Sequence, residues 1–208
     1  MAESQNLRGY AAKMRRHVRS NSDLEADARF VDMLAPRGST ILDIGCGIGS
    51  AVNALRRRGH DAFGLDPSPE VLDVAIELHG AQWFRSIAAA DLSQPVLTDR
   101  DLPSRYDLIL MSGNVPAFLT KPELASTFQT TSKLLTPGGR LVIGTSARSP
   151  GGPKDQDAFA EGTSLARENR YCDWHLGRYD ADSPWSVSVF TTPGRRRADE
   201  GPDGMFVL

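Results

Sequence analysis

Leu42-Asp43-Ile44-Gly45-Cys46-Gly47-Ile48-Gly49-Ser50 is the stretch on which the reading of this chain turns. Ile41, Leu42 and Ile44 make the apolar run of a buried strand, and three glycines at alternate positions then turn that strand into a helix starting near Ser50. Glycine suits positions 45, 47 and 49 because it accepts positive φ and, lacking a Cβ, lets a ligand lie against the backbone at a helix N-terminus. The spacing is not that of the dinucleotide fingerprint G-x-G-x-x-G, whose helix end holds a pyrophosphate. Here the third glycine comes one residue early and Asp43 precedes the first. An acid is a poor neighbour for pyrophosphate and a good one for a ligand carrying an ammonium group. A tight strand-to-helix turn alone could also use these glycines, so their meaning depends on the rest of the chain.

The next strand, Ala62-Phe63-Gly64-Leu65, ends in Asp66, 21 residues beyond Gly45. A βαβ unit returns its second strand to the same edge of the sheet, and an acid there can accept hydrogen bonds from an adenosine ribose. Ser68 and Pro69 read as the N-cap and first residue of the following helix, which closes at Gly80. Between the two strands, a helix over residues 50–58 packs Val52 and Leu55 inward. Arg56, Arg57 and Arg58 complete its C-terminal end, where cations complement the helix dipole.

Upstream, Leu24, Ala28, Val31 and Leu34 share one helical face from Asp23 until Pro36-Arg37-Gly38. Downstream, a weaker strand over 83–87 leads to Asp91-Leu92, then a polar loop and an apolar strand over 106–111. Ser112-Gly113-Asn114 ends that strand in turn-forming residues. Thr120 and Glu123 form a capping box for a helix with Leu124, Phe128 and Leu135 on its inner face. Pro137-Gly138-Gly139 has type II turn chemistry and feeds a strand over 140–144. Five β-α alternations argue for a parallel, doubly wound sheet. The pattern then predicts a helix over 155–168 and a closing hairpin of strands over 171–179 and 186–192.

A chain of 208 residues is the size of one domain with its own core, and 40% hydrophobic with 24% charged residues is a globular composition. The formal net charge of −2 supplies no global attraction to nucleic acid or acidic membranes. Cys46 and Cys172 give neither a metal spacing nor a disulfide framework, so no metal is expected and a reducing cytoplasm is the expected compartment. No apolar run is long enough to span a bilayer, and the basic N-terminal stretch has no apolar core of the signal-peptide kind. The expected organisation is a basic arm or lid over 1–22, a main domain over 23–193 and a tail over 194–208.

Taken together, LDIGCGIGS, the acid closing strand 2 in GLDPS, ADLS, YDLILMSGN and LLTPGGRLVI stand in the order found in the class I S-adenosylmethionine-dependent methyltransferases, and the chain resembles that family over about residues 28–193. The resemblance implies a Rossmann-like α/β fold: a doubly wound seven-stranded sheet, ordered 3-2-1-4-5-7-6, mostly parallel with an antiparallel last strand. It implies S-adenosylmethionine as cofactor and S-adenosylhomocysteine as product. Carried over residue by residue, Asp43, Gly45, Cys46, Gly47 and Gly49 would hold the methionine end. Asp66, with Pro67 and Ser68 beside it, would hold the ribose hydroxyls, Asp91 the adenine amino group and Leu92 the ring face. Ser112, Gly113 and Asn114 would lie beside the sulfonium. Ile48 and Ser50 stand where many relatives have Thr and Arg. Asn114-Val115-Pro116-Ala117-Phe118 is similar to the Asn-Pro-Pro-Tyr signature of amide and nucleobase nitrogen methyltransferases, except that no second proline follows the first.

The expected function is methyl transfer to an oxygen or nitrogen of a small-molecule acceptor; nucleic acid and membrane are not expected partners. Two alternatives are a nucleic-acid or protein methyltransferase, docking through the basic arm and Arg56 to Arg58, and a non-catalytic S-adenosylmethionine-binding module. No catalytic residue is singled out by motif. The candidates at the rim are Tyr10 and His17 on the N-terminal arm and His175 on the run before the last strand, where alternation would set Tyr171, Asp173, His175 and Tyr179 on one face.

Overall fold

The computed structural model describes residues 23–194. In chain order the elements are α1 (Ala26–Leu34), β1 (Thr40–Ile44), α2 (Ser50–Arg57), β2 (Asp61–Asp66), α3 (Pro69–His79), β3 (Phe84–Ser86), α4 (Gln94–Thr98) and β4 (Tyr106–Met111). They continue with α5 (Lys121–Leu134), β5 (Leu135–Ser146), α6 (Pro153–Glu161), β6 (Ala166–Tyr171) and β7 (Trp185–Thr191). The seven strands form one sheet in the order β3-β2-β1-β4-β5-β7-β6. Neighbours from β3 to β5 are parallel, and β7 runs antiparallel to both β5 and β6. This is the doubly wound, mostly parallel sheet with an antiparallel last strand.

Alternation along the strands divides the core into two layers. Leu42, Ile44, Ile109, Leu141, Ile143 and Phe190 face one layer, filled by Leu97 of α4, Leu124 and Phe128 of α5 and Ala160 of α6. Ile41, Leu108, Leu110, Val142, Val187 and Val189 face the other, covered by Phe30 and Val31 of α1, Val52 and Leu55 of α2, and Leu72 and Ala75 of α3. Burial on both faces is why the central strands read as unbroken apolar runs.

Local signals hold where they are covalent or hydrogen-bonded in kind. Ser68 caps α3, accepting from the Val71 amide, and Pro69 follows at its first position. Thr120 and Glu123 close a capping box on α5, with Glu123 Oε2 2.7 Å from the Thr120 amide nitrogen. Replacing Thr120 by alanine is expected to cost about 1 kcal/mol, measurable as a lower urea midpoint with an unchanged slope.

Other expectations are corrected. The polar loop before β4 contains the short helix α4, capped by Ser93, and the strand expected over 83–87 is confined to Phe84–Ser86 behind a 3-10 turn at Ala81–Trp83. Pro137-Gly138-Gly139 keeps its turn chemistry, with Gly138 at φ 71°, but lies inside a longer strand than expected. It forms an irregularity within β5, whose pairing with β4 jumps from Tyr106↔Leu135 to Leu108↔Arg140.

The largest correction concerns the end of the chain. α6 stops at Glu161, and β6 is Ala166–Tyr171, so 172–179 is a loop rather than a strand. The four side chains expected to share one strand face, Tyr171, Asp173, His175 and Tyr179, therefore do not. β6 escapes a hydrophobic pattern because it is the edge of the sheet, where charge is tolerated. Its Arg167 and Arg170 pair with Asp157 of α6, and its Glu168 pairs with the buried Arg140 of β5.

Candidate active site

Parallel strands β1, β2, β4 and β5 bring their carboxyl ends to one edge. α1 leads into β1 through Ala35–Ser39, and Glu25 at its N-terminus pairs with Arg57 and Arg58 at the end of α2. β6 ends there and β7 begins there, which places the 172–184 loop on the rim. A cavity of about 220 Å³ lined by Leu34, Arg37, Asp107 and Arg140 lies at the opposite edge, away from the glycine loop.

The loop leaving β1 takes left-handed φ at each of its three glycines, 75° at Gly45, 56° at Gly47 and 75° at Gly49. Its amides are tied to β2: Gly45 N and Cys46 N both donate to Leu65 O, at 2.7 and 2.9 Å, and Gly47 N donates to Asp66 Oδ2 at 3.1 Å. A side chain at Gly45 would collide with Val115, whose Cγ2 lies 2.3 Å from where a Cβ would sit. The turn after β4 thus packs directly on the glycine loop. Cys46 turns its sulfur toward Gly64 and is buried, and burial raises its thiol well above the ordinary range. It can offer a ligand only its backbone.

Asp66 closes β2 with both oxygens engaged, Oδ1 by Ser68 N at 2.9 Å and Oδ2 by Gly47 N. Each carboxylate oxygen retains a second acceptor direction, which suits a vicinal diol. Burial raises its pKa against those two hydrogen bonds. Asp43 is buried, and its Oδ1 has no hydrogen-bond partner. Burial raises its pKa well above the ordinary carboxylate range, and the charges of Asp27 and Asp66 push it further. An unpaired buried acid is expensive without a cation. The site therefore fits a ligand with a cationic centre near Asp43 and hydroxyls near Asp66.

Because the folded-state pKa of Asp43 is raised, the folded protein binds more protons there than the unfolded chain. That contribution to stability is complete below the unfolded carboxylate value and is lost as pH rises through the raised value. Asp43→Asn without cofactor is accordingly expected to gain melting temperature over wild type at pH 7.5. The gain should shrink as pH is lowered toward 4.5, measured by differential scanning fluorimetry. A gain that grows with acidification would reverse the assignment.

At the end of β4, Gly113 and Asn114 take successive left-handed conformations, φ 68° each. Asn114 Oδ1 accepts from Thr145 Oγ1 at 3.0 Å and from Ser146 N at 2.7 Å, locking the turn to the end of β5. Its side-chain oxygen is committed to the protein. Asp91 ends a 3-10 turn at Ala89–Asp91 and is exposed, whereas Leu92 is buried in the core layer that includes Leu42 and Leu65. His175 is exposed in the 172–184 loop, its amide bound to Asp173 Oδ1 at 2.8 Å. Tyr10 and His17 lie outside the described residues.

Sequence reasoning missed Asp27. It stands in the first turn of α1, where an acid is also expected simply to complement the helix dipole, so nothing local marks it. Its Oδ1 accepts from the Ala28 amide at 2.8 Å, and burial raises its pKa.

A methyltransferase domain model matches residues 42–141. The chain is 30% identical to a TehB-like SAM-dependent methyltransferase from Corynebacterium glutamicum ATCC 13032 Kitasato, with a TM-score of 0.77 over 91% of this chain and 99% of that one. The chain belongs to the family of class I S-adenosylmethionine-dependent methyltransferases. Among curated relatives, the chain is 32% identical to the ubiquinone biosynthesis O-methyltransferase of Alkalilimnicola ehrlichii over 54% of its own length and 44% of that protein. It is 29% identical to the phosphoethanolamine N-methyltransferase of Triticum aestivum over 67% of its own length and 27% of that protein. The chain thus spans less than half the length of these two relatives.

Proposed function

We propose that this enzyme transfers a methyl group from S-adenosylmethionine to an oxygen or nitrogen atom of a small-molecule acceptor. In this reading, Asp43 and the Gly45, Cys46, Gly47, Gly49 loop hold the methionine portion. Asp66, with Pro67 and Ser68, holds the ribose, the Asp91-Leu92 segment borders the adenine, and Ser112, Gly113 and Asn114 border the reacting centre. Bound S-adenosylmethionine supplies a methyl group already activated by the sulfonium. What remains for the chain is positioning, and a turn fixed at Asn114 by two hydrogen bonds suits that task.

The observation that carries the choice of a small acceptor is the fate of the three arginines that could have docked a polyanion. Arg56 bonds Asp61 at 2.9 Å and stacks over the Trp83 ring at 3.2 Å. Arg57 pairs with Glu25, and Arg58 with Glu25 and Asp32. All three sit at the C-terminal end of α2, on the edge away from the glycine loop, and are neutralised by their own protein. The curated relatives named for ubiquinone biosynthesis and for phosphoethanolamine support the same class of acceptor.

Among the described residues no helix is long and apolar enough to cross a membrane, and Cys46 and Cys172 are free thiols, which supports a reducing cytoplasm. The test is S-adenosylhomocysteine release with panels of phenols, catechols and small amines against RNA and protein acceptors. Turnover is expected on a member of the first group, and turnover confined to RNA or protein would overturn the reading.

A further inference from the structure

The cavity at the amino edge shares no residue with the proposed cofactor site. It lies where β1, β4 and β5 begin, and its volume of about 220 Å³ is far above the about 10–15 Å³ that a single water requires. Its wall carries charges of both signs that do not meet. Asp107 Oδ2 accepts from Thr40 N at 2.9 Å and Oδ1 from Thr136 Oγ1 at 3.1 Å. These bonds fix the carboxylate and leave an acceptor direction on each oxygen. Among the described residues Asp107 forms no ion pair, although eleven such pairs occur elsewhere.

The cations of the same wall have donors to spare. The Arg37 side chain is 72% exposed and is held through Nη1, by Arg58 O at 3.0 Å and Asp32 Oδ1 at 3.4 Å. Arg140 is buried; its Nε and Nη2 each bond Glu168 at 2.6 Å and its Nη1 donates to Leu34 O at 2.9 Å. A guanidinium has five N–H groups, so two of those on Arg140 are left uncommitted. Leu34, Pro36 and Leu108 are apolar members of the lining. A purely anionic ligand would be set beside Asp107, and a purely cationic one beside two guanidiniums. A ligand carrying both charges gains at both ends. We propose that this cavity is a further binding site, for a small zwitterion of the amino-acid class with an apolar side chain. Its carboxylate accepts from Arg37 and from the uncommitted N–H groups of Arg140, its ammonium donates to Asp107, and its side chain lies on the apolar lining. The inference is independent of where the cofactor sits.

The experiment is calorimetric titration of the full chain with L-leucine, L-methionine and L-phenylalanine, each compared with the amine and the acid left when its carboxylate or its amino group is removed. Saturable binding of at least one amino acid is expected, with both of its singly charged analogues at least about tenfold weaker, since a hydrogen bond to a charged group contributes roughly 1.5 to 3 kcal/mol. Arg37→Gln and Asp107→Asn should each weaken the bound amino acid at least about tenfold. Asp107 also ties Thr40 to Thr136, so if its variant does not fold, the largely exposed Arg37 decides. Binding of none of the three, equal binding of a singly charged analogue, or unchanged affinity in Arg37→Gln would overturn the proposal. Asp43 also suits an ammonium, and Asp43→Asn separates the two sites. Binding that Asp43→Asn abolishes and Arg37→Gln leaves intact belongs to the glycine loop, which equally removes the amino-edge site.

Discussion

Asp66→Ala should weaken S-adenosylmethionine by at least about tenfold in calorimetric titration. The carboxylate already bridges Ser68 N and Gly47 N and keeps an acceptor direction on each oxygen, which the proposed placement gives to the two ribose hydroxyls. A hydrogen bond to a charged group contributes roughly 1.5 to 3 kcal/mol, so loss of one gives at least about tenfold and loss of both approaches or exceeds a hundredfold. Alanine also frees the Gly47 amide, and the loop loses one of its ties to β2. Asp66→Asn separates the two effects in part, because its single amide oxygen can accept from Ser68 N or from Gly47 N but not from both, while the charge is gone. Asn should recover part of the melting temperature lost by Ala and a smaller part of the affinity. Unchanged affinity in both variants would remove Asp66 from the cofactor site.

The central strands and the glycine loop were legible because their determinants are local and strong. An apolar run, three left-handed glycines and an acid at the end of the next strand leave few alternatives, and Ser68 and Thr120 cap as their residue types require. β6 was not legible, since an edge strand whose Arg167, Glu168 and Arg170 pair with other elements carries no hydrophobic alternation. The hairpin was nevertheless expected in the right part of the chain, displaced toward the more aromatic residues 171–179. Those residues are apolar for a different reason: Trp174 and Tyr171 pack edge-on against Phe30 of α1, with ring centroids 5.6 and 5.7 Å away. Asp27 was illegible because its meaning is tertiary. Its burial comes from the packing of α1 on the sheet, which the sequence around it does not reveal.

Trp174 makes a final expectation possible. Gly144 of β5 has the indole against its face, with Trp174 Cζ2 2.3 Å from where a Cβ would be. Valine at 144 cannot coexist with the ring in place, and β5 is held on both sides by β4 and β7, so the indole must leave. Overpacking of a tight site costs typically up to about 3 kcal/mol, which for a chain of this size corresponds to a fall in melting temperature of about 6–12 °C. The 172–184 loop should lose its anchor at the same time. Its internal hydrogen bonds run from the amides of His175 and Gly177 to Asp173 Oδ1, at 2.8 and 2.9 Å, and these amides should exchange at least about tenfold faster in Gly144→Val. Cofactor affinity should fall less than turnover of the acceptor, because the amides of the glycine loop are tied to β2 and the loop meets β5 through the Asn114 turn. An accompanying drop of at least about tenfold in kcat/KM for the acceptor would make this loop a wall of the acceptor site. Unaltered exchange at His175 and Gly177 would mean that the loop keeps its shape without Trp174, and that the rim of this site is built by the 112–118 and 146–153 segments alone.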